Sequence, residues 1–182
     1  MSNAVKKIKV AITEDHPIML KGLRNMLAAY DHLEVTGAYA TGNALLAGLQ
    51  KAQPDVLLMD IDLPDITGEE LTKTIIKRYP AIRILILTSH DNVFFVRSLL
   101  RIGAMGYLLK TTDEEELVEA IGSIAAGLQS LSPEIKETLV KDTLKLKQAT
   151  TAQAELTQRE KEILQLIAEE YTSQEIGEKL FL

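Results

Sequence analysis

The segment PDVLLMDIDLPDITG, residues 54–68, decides how this chain folds. A short apolar run in it ends in an aspartate, Asp60, and two more follow, Asp62 and Asp65. Such a run is typical of a strand that is buried on both faces of a sheet. Carboxylates at the end of a buried strand are costly unless they are paired or bind a cation. The segment therefore predicts a parallel strand with a site for a cation, a phosphate or both at its end.

Composition limits the classes of protein. The chain has 182 residues, of which 46% are hydrophobic and 25% charged, enough for one domain of about 100–150 residues and a smaller appendage. It has no cysteine, which excludes disulfides, cysteine zinc sites and cysteine nucleophiles. Its apolar runs are shorter than the roughly 18–20 residues of a membrane helix, and no signal peptide is evident, so we expect a cytoplasmic protein without a membrane partner. The net charge of −6 argues against indiscriminate nucleic-acid binding by the whole surface.

Short apolar runs alternate with amphipathic stretches over residues 1–128. This alternation predicts five βα units and hence an α/β fold, a five-stranded parallel sheet that is doubly wound with helices on both faces. The predicted strands are 8–13, 33–38, 55–60, 82–88 and 105–109. The predicted helices are about 17–30, 42–52, 67–79, 92–103 and 113–127.

Residues 129–182 do not continue this alternation of apolar runs and amphipathic stretches. Residues 129–154 predict a linker with a helix that starts at Ser132-Pro133 and ends in a Thr/Ala/Gln run. Residues 155–182 predict two helices, the first with a capping box formed by Thr157 and Glu160, and the second starting near Ser173.

Polar side chains stand at the ends of four predicted strands. Ligands bind at the carboxyl ends of strands in an open parallel sheet, so these residues are expected to converge. Carboxylates there would hold Mg²⁺, and the ion would act with a lysine and a hydroxyl to neutralise a phosphoryl group. Asp60 is closest to the centre and is the natural nucleophile for an aspartyl-phosphate. The candidates are Glu14, Asp15, Asp60, Thr88, Ser89 and Lys110.

In these residues the chain resembles the two-component response regulators, with residues 1–128 as the receiver domain. The resemblance rests on TEDHP (13–17), LLMDIDLPDITG (57–68), LILTSHD (85–91) and GAMGYLLK (103–110). It implies a flavodoxin-like strand order of 2-1-3-4-5. It also implies that a sensor histidine kinase phosphorylates Asp60, and that Mg²⁺ is the cofactor. The implied metal ligands are the carboxylates of Asp15 and Asp60, the carboxylate of Glu14 through a water molecule, and the backbone carbonyl of Asp62.

The resemblance also assigns residues to switching. Lys110 contacts the phosphoryl group, Thr88 moves to hydrogen-bond it with Ser89 beside it, and Tyr107 then swings inward next to Thr88. Asp62 and His90 hold the two positions that tune phosphoryl lifetime. His16, next to Pro17, is expected only to shape its loop.

Residues 155–182 resemble the start of a LuxR-type helix-turn-helix of the NarL/FixJ subfamily. The stretch LTQREKEILQLIAEEYTSQEIGEKLFL departs from that pattern at Glu170, where glycine is usual, and at Gly177, where alanine is usual. It ends where the recognition helix is expected to begin. Residues 154–182 contain three basic residues and seven glutamates, a net charge of −4. We therefore expect DNA to be a partner of the full-length protein, with no DNA-binding residue in this chain. Homodimerisation is left open.

Two alternatives remain at this point. One is a receiver that acts only through protein contacts. The other is a phosphatase, since MDIDLPD (59–65) also resembles the nucleophile motif of haloacid-dehalogenase-like enzymes. That family has its nucleophile on the first strand of its core and threonine or valine where Pro64 stands here. We therefore expect no metabolic enzyme, only a protein that catalyses its own aspartyl phosphorylation and dephosphorylation.

Overall fold

The computed structural model describes residues 7–151 and 158–169 and the single residues 171, 175 and 179. The chain forms two compact units, one ending at Val140 and the other beginning at Lys141. The strands in these ranges are β1 (Ile8–Thr13), β2 (Leu33–Tyr39), β3 (Val56–Met59), β4 (Arg83–Thr88), β5 (Gly106–Leu109) and β6 (Ser130–Leu131). The helices are α1 (Pro17–Ala28), α2 (Gly42–Leu49), α3 (Gly68–Arg78), α4 (Val93–Ile102), α5 (Glu114–Ala125), α6 (Pro133–Thr151) and α7 (Gln158–Ala168).

The strands form one parallel sheet with the order β2-β1-β3-β4-β5-β6. The five predicted strands and their order are confirmed, but the predicted strand number of five is corrected to six. The additional strand β6 lies in the predicted linker and pairs with β5, Ser130 opposite Gly106. Two residues are too few to produce an alternating pattern, so the sequence did not indicate this strand.

Both faces of the sheet are buried. Val56 and Leu58 of β3 pack in a cluster with residues of α1 and α5, whereas Leu57 and Met59 pack in a second cluster with residues of α2, α3 and α4. Successive side chains of a strand point to opposite faces, so a strand covered on both sides needs an uninterrupted apolar sequence. This explains the VLLM run directly before Asp60.

Polar residues cap α2, α3, α4 and α5, which begin at the carboxyl end of the sheet. Each accepts a hydrogen bond from a backbone N–H of the first helical turn, which that turn would otherwise leave without a partner. The side-chain caps are Thr41 for α2, Thr67 for α3, Asn92 for α4 and Asp113 for α5.

The helix predicted to follow Ser132-Pro133 is confirmed as α6. Its first turns belong to the first unit, where Ile135 is fully buried in the core. In the second unit, α7 carries the exposed apolar side chains Leu164 and Ile167. The predicted cap Thr157, the departures Glu170 and Gly177, and the start of a second helix near Ser173 lie outside the described residues. No helix in the described part of the chain is both long and apolar enough to cross a membrane.

Candidate phosphoacceptor and metal site

The register of the sheet brings the predicted site residues to one edge. Thr13 of β1 lies opposite Met59 of β3, so Glu14 and Asp60 follow at the same level. The N–H of Asp60 donates to the carbonyl of Thr13 at 2.9 Å. On the other side, the N–H of Lys110 donates to the carbonyl of Thr88 at 2.8 Å. The ends of β1, β3, β4 and β5 therefore form a continuous rim.

Asp60 is 2% exposed, and its two carboxylate oxygens have different partners. Oδ1 accepts the backbone N–H of Ile61 at 2.7 Å and that of Asp62 at 3.3 Å. Oδ2 accepts a hydrogen bond from Nζ of Lys110 at 2.7 Å. The chain that follows β3 thus holds Oδ1, and the long side chain of Lys110, directly after β5, holds Oδ2.

Lys110 joins two buried carboxylates. Its Nζ is also 2.8 Å from Oε2 of Glu14, whose side chain is 2% exposed, while that of Lys110 is 17% exposed. Burial lowers the pKa of Lys110, but hydrogen bonds to Asp60 and Glu14 outweigh this effect and the net pKa is raised. The ammonium group therefore compensates charges that would be costly alone.

His16 contacts Oε1 of Glu14, whereas Lys110 contacts Oε2 of the same carboxylate. Its Nδ1 is 2.9 Å from Oε1 of Glu14 and 2.7 Å from Oδ1 of Asp15. The hydrogen bond to Glu14, and then the charge of Asp15, raise the pKa of His16. From the sequence, His16 was expected only to shape its loop, although a histidine directly after an acidic pair was a signal for this contact.

The side chains on this edge fit a divalent cation. One ligand-type atom from each of Glu14, Asp15, His16 and Asp60 lies within 4.8 Å of the other three. Oδ1 of Asp15 is buried and accepts no hydrogen bond, although His16 is close, because the contact lacks hydrogen-bond geometry. A buried carboxylate oxygen with a free lone pair is suited to a hard cation such as Mg²⁺.

Two buried residues with hydroxyl groups, Thr88 and Tyr107, lie on the other side of Asp60. Thr88 is fully buried, and its Oγ1 accepts the N–H of His90 at 3.3 Å. The hydroxyl of Tyr107 donates to the carbonyl of His90 at 2.8 Å, and its ring is fully buried. Burial raises the pKa of Tyr107, and the charges of Asp62 and Asp91 raise it further. The ring is thus already inside, a position that the resemblance assigns to it after phosphorylation.

The two residues expected to tune phosphoryl lifetime contact each other. Nε2 of His90 is 3.0 Å from Oδ1 and 2.9 Å from Oδ2 of Asp62. Ser89, in contrast, is exposed. It lines a shallow depression together with His16, Lys110 and apolar residues of α1.

Asp65 is not part of this group. Its carboxylate accepts the N–H of Gly42 at 2.9 Å and that of Asn43 at 2.8 Å, at the start of α2. The N–H of Asn43 lowers the pKa of Asp65 most, and that of Gly42 adds to the effect. Of the three aspartates Asp60, Asp62 and Asp65, only the first two therefore lie at the candidate phosphoacceptor site.

Comparison with known proteins agrees with this geometry. Residues 10–122 match the family of response regulator receiver domains, and residues 154–182 match the luxR family of bacterial regulatory proteins. The transcriptional regulatory protein DegU of Brevibacillus brevis is 33% identical over 191 residues, covering 97% of this chain and 81% of DegU.

Two solved structures of RcsB are also similar. One is the isolated receiver domain of RcsB from Salmonella enterica serovar Typhimurium with the phosphomimetic BeF3⁻ (TM-score 0.69, 26% identity, 73% of this chain and 99% of that one). The other is a structure of two RcsB dimers bound to two parallel DNAs (TM-score 0.71, 28% identity, 96% of this chain and 83% of that one).

The doubly wound sheet and the acidic rim with its lysine define a receiver domain. With the luxR-family segment that follows it, the chain belongs to the two-component response regulators, in the NarL/FixJ group of transcription regulators. The phosphatase alternative has no support here, since Asp60 follows the third strand of the sheet and not the first.

Proposed function

We propose that Asp60 is the phosphoacceptor of this response regulator and that a sensor histidine kinase supplies the phosphoryl group. The observation that carries the proposal is the environment of Asp60: a buried carboxylate with Oδ2 held only by Lys110, beside the carboxylates of Glu14 and Asp15. Oδ1 is held by two backbone N–H groups, so Oδ2 is the oxygen left to attack phosphorus.

In the transfer, a bond forms between Oδ2 of Asp60 and phosphorus while the bond from phosphorus to the donor nitrogen or oxygen breaks. The donor histidine or acetate leaves with that electron pair. Lys110 stays within reach of the phosphoryl oxygens and neutralises part of their charge. Mg²⁺ held by Glu14, Asp15, Asp60 and the backbone carbonyl of Asp62 would supply further positive charge there. Hydrolysis reverses the modification when water attacks phosphorus and the bond to Asp60 breaks.

The proposed switch involves the side of the site that contains Thr88 and Tyr107. We propose that Thr88 and the neighbouring Ser89 donate hydrogen bonds to the phosphoryl group, and that Thr88 thereby moves the loop that His90 begins. Tyr107 holds the carbonyl of that loop, and His90 contacts Phe95 of α4 with ring centroids 5.4 Å apart. A change at Thr88 would thus reach α4, where Phe94 is 69% exposed and available to a partner. The phosphoryl group favours one of two arrangements of this surface.

DNA and a second copy of the chain are the partners that we propose for the output. Support comes from the luxR-family match of residues 154–182 and from the similarity to RcsB, which in one structure is a dimer on DNA. Light scattering with and without acetyl phosphate tests the dimer: the mass should rise with phosphorylation of the wild-type chain and stay constant in Asp60→Asn.

Intact-protein mass spectrometry tests the phosphoacceptor. The wild-type chain, incubated with acetyl phosphate and Mg²⁺, should gain one phosphoryl group. Asp60→Asn should gain none, and Asp62→Asn, which changes the neighbouring exposed carboxylate, should still be modified. An adduct that survives Asp60→Asn would place the phosphoacceptor elsewhere.

A substitution in α1 tests where the kinase docks. Ile18 is 89% exposed and lines the depression that ends at Lys110, where a donor histidine has access to the site. Ile18→Glu should slow transfer from a phosphorylated histidine kinase while leaving transfer from acetyl phosphate unchanged. Equal slowing with both donors would contradict docking at this surface.

A further inference from the structure

His16 lies among the carboxylates of the cation site, and the proposed phosphoryl chemistry does not use it. Its Nδ1 is 2.9 Å from Oε1 of Glu14 and 2.7 Å from Oδ1 of Asp15. With Asp60, these residues bring one nitrogen and three oxygen donors within 4.8 Å of one another. The donor set is therefore not made of oxygen alone.

The two distances suit ligands of a single ion. Small divalent ions bind nitrogen and oxygen at about 2.0–2.1 Å, which puts two ligands at right angles about 2.8–3.0 Å apart. The distances from Nδ1 of His16 to Glu14 and Asp15 lie close to this range. Nδ1 forms a hydrogen bond with Oε1 of Glu14, so a cation would displace the proton of that bond, whereas Oδ1 of Asp15 accepts no hydrogen bond from the ring. That oxygen keeps a lone pair for a cation.

The backbone holds His16 in this position. It is the residue before α1, its N–H donates to Oε1 of Glu14 at 3.0 Å, and Pro17 begins the helix. The side chain forms no capping hydrogen bond with α1, so the helix does not need the imidazole. The imidazole is 69% exposed, which leaves it open to an ion arriving from solvent.

We propose that Nδ1 of His16 is a further protein ligand of the cation site. Imidazole nitrogen favours first-row transition ions, whereas Mg²⁺ favours oxygen. The site therefore discriminates in favour of Mn²⁺ and Co²⁺ over Mg²⁺ more strongly than its carboxylates alone would. The inference rests on the proposed function only in taking Glu14, Asp15 and Asp60 as ligands of a cation.

Pulsed electron paramagnetic resonance of Mn²⁺ bound to the full chain tests this ligand. The chain has three histidines, His16, His32 and His90, so each is removed by one substitution. A coupling to ¹⁴N of imidazole is expected in the wild type and in the control His32→Ala, and should be absent in His16→Ala. In titrations, His16→Ala should weaken Co²⁺ binding about tenfold and Mg²⁺ binding far less.

The outcomes separate this inference from the proposed function. Mn²⁺ that binds without nitrogen coupling, or a coupling that persists in His16→Ala, would overturn the inference and leave the proposed function standing. Asp15→Ala should abolish Mn²⁺ binding; an unchanged nitrogen signal in that variant would place the ion elsewhere and also overturn the inference. A wild-type chain that binds neither Mn²⁺ nor Mg²⁺ would overturn both.

Discussion

The side chains on the two sides of Asp60 differ in chemical character. Toward α1 lie the charged groups Glu14, Asp15 and His16, whereas toward α4 lie the buried hydroxyls of Thr88 and Tyr107. Charged groups bind an ion and set the electrostatics of transfer, and neutral groups in a close-packed interior transmit small displacements. We therefore expect binding and switching to be separable in this domain, with Asp60 and Lys110 between them.

Lys110 contacts carboxylates from both β1 and β3, so its loss should have the largest effect. Lys110→Gln removes the cation that compensates Glu14 and Asp60, and phosphorylation by acetyl phosphate should slow by about 10²–10³-fold. Lys77→Gln, at an exposed position of α3, serves as the control and should react at the wild-type rate. Rapid phosphorylation of a folded Lys110→Gln chain would show that the lysine does not act in transfer.

His90 should affect the lifetime of the phosphoryl group and not its transfer. The His90–Asp62 contact spans the exposed rim next to Asp60, so its loss should admit water and shorten the half-life about tenfold, equivalent to about 1.4 kcal/mol. Release of phosphate after removal of the donor measures this in His90→Ala, with His32→Ala as the control. The effects of Asp62→Asn and His90→Ala on the half-life of the phosphoryl group should be less than additive when combined, because the two side chains contact each other. Additive effects would mean that the two positions act independently.

The sequence predicted the strand ends well and the contacts between them less well. Glu14, Asp60 and Lys110 could be placed because a buried parallel strand has a clear apolar signature and the fold fixes which ends meet. The position of Asp65 at the start of α2 could not be predicted, since it depends on how the loop after β3 turns. The same holds for the His16 and His90 contacts, because rotamers of loop side chains have no sequence period.

Tyr107→Phe should destabilise the side of Asp60 that contains Thr88 and Tyr107, with a smaller effect than the substitutions above. It removes the partly buried hydrogen bond to the carbonyl of His90 and should lower the free energy of unfolding by about 1 kcal/mol. Urea unfolding followed by circular dichroism measures this, since the chain has no tryptophan. The phosphorylation rate should remain near that of the wild type. A large loss of rate would contradict the separation between the two sides of Asp60.

Asp65→Asn tests a residue that belongs to neither side. The folded chain lowers the pKa of Asp65 below its usual 3.8, so ionised Asp65 stabilises the fold above that pH and loses this effect as pH falls through the folded pKa. The variant should melt below the wild type at pH 7, with the gap closing below pH 3.8. Phosphorylation at neutral pH should be unchanged, because the carboxylate contacts Gly42 and Asn43 and not Asp60. A gap that stays constant with pH would mean that the two N–H groups do not distinguish a carboxylate from an amide. In that case the start of α2 would depend on the shape of the Asp65 side chain and not on its charge.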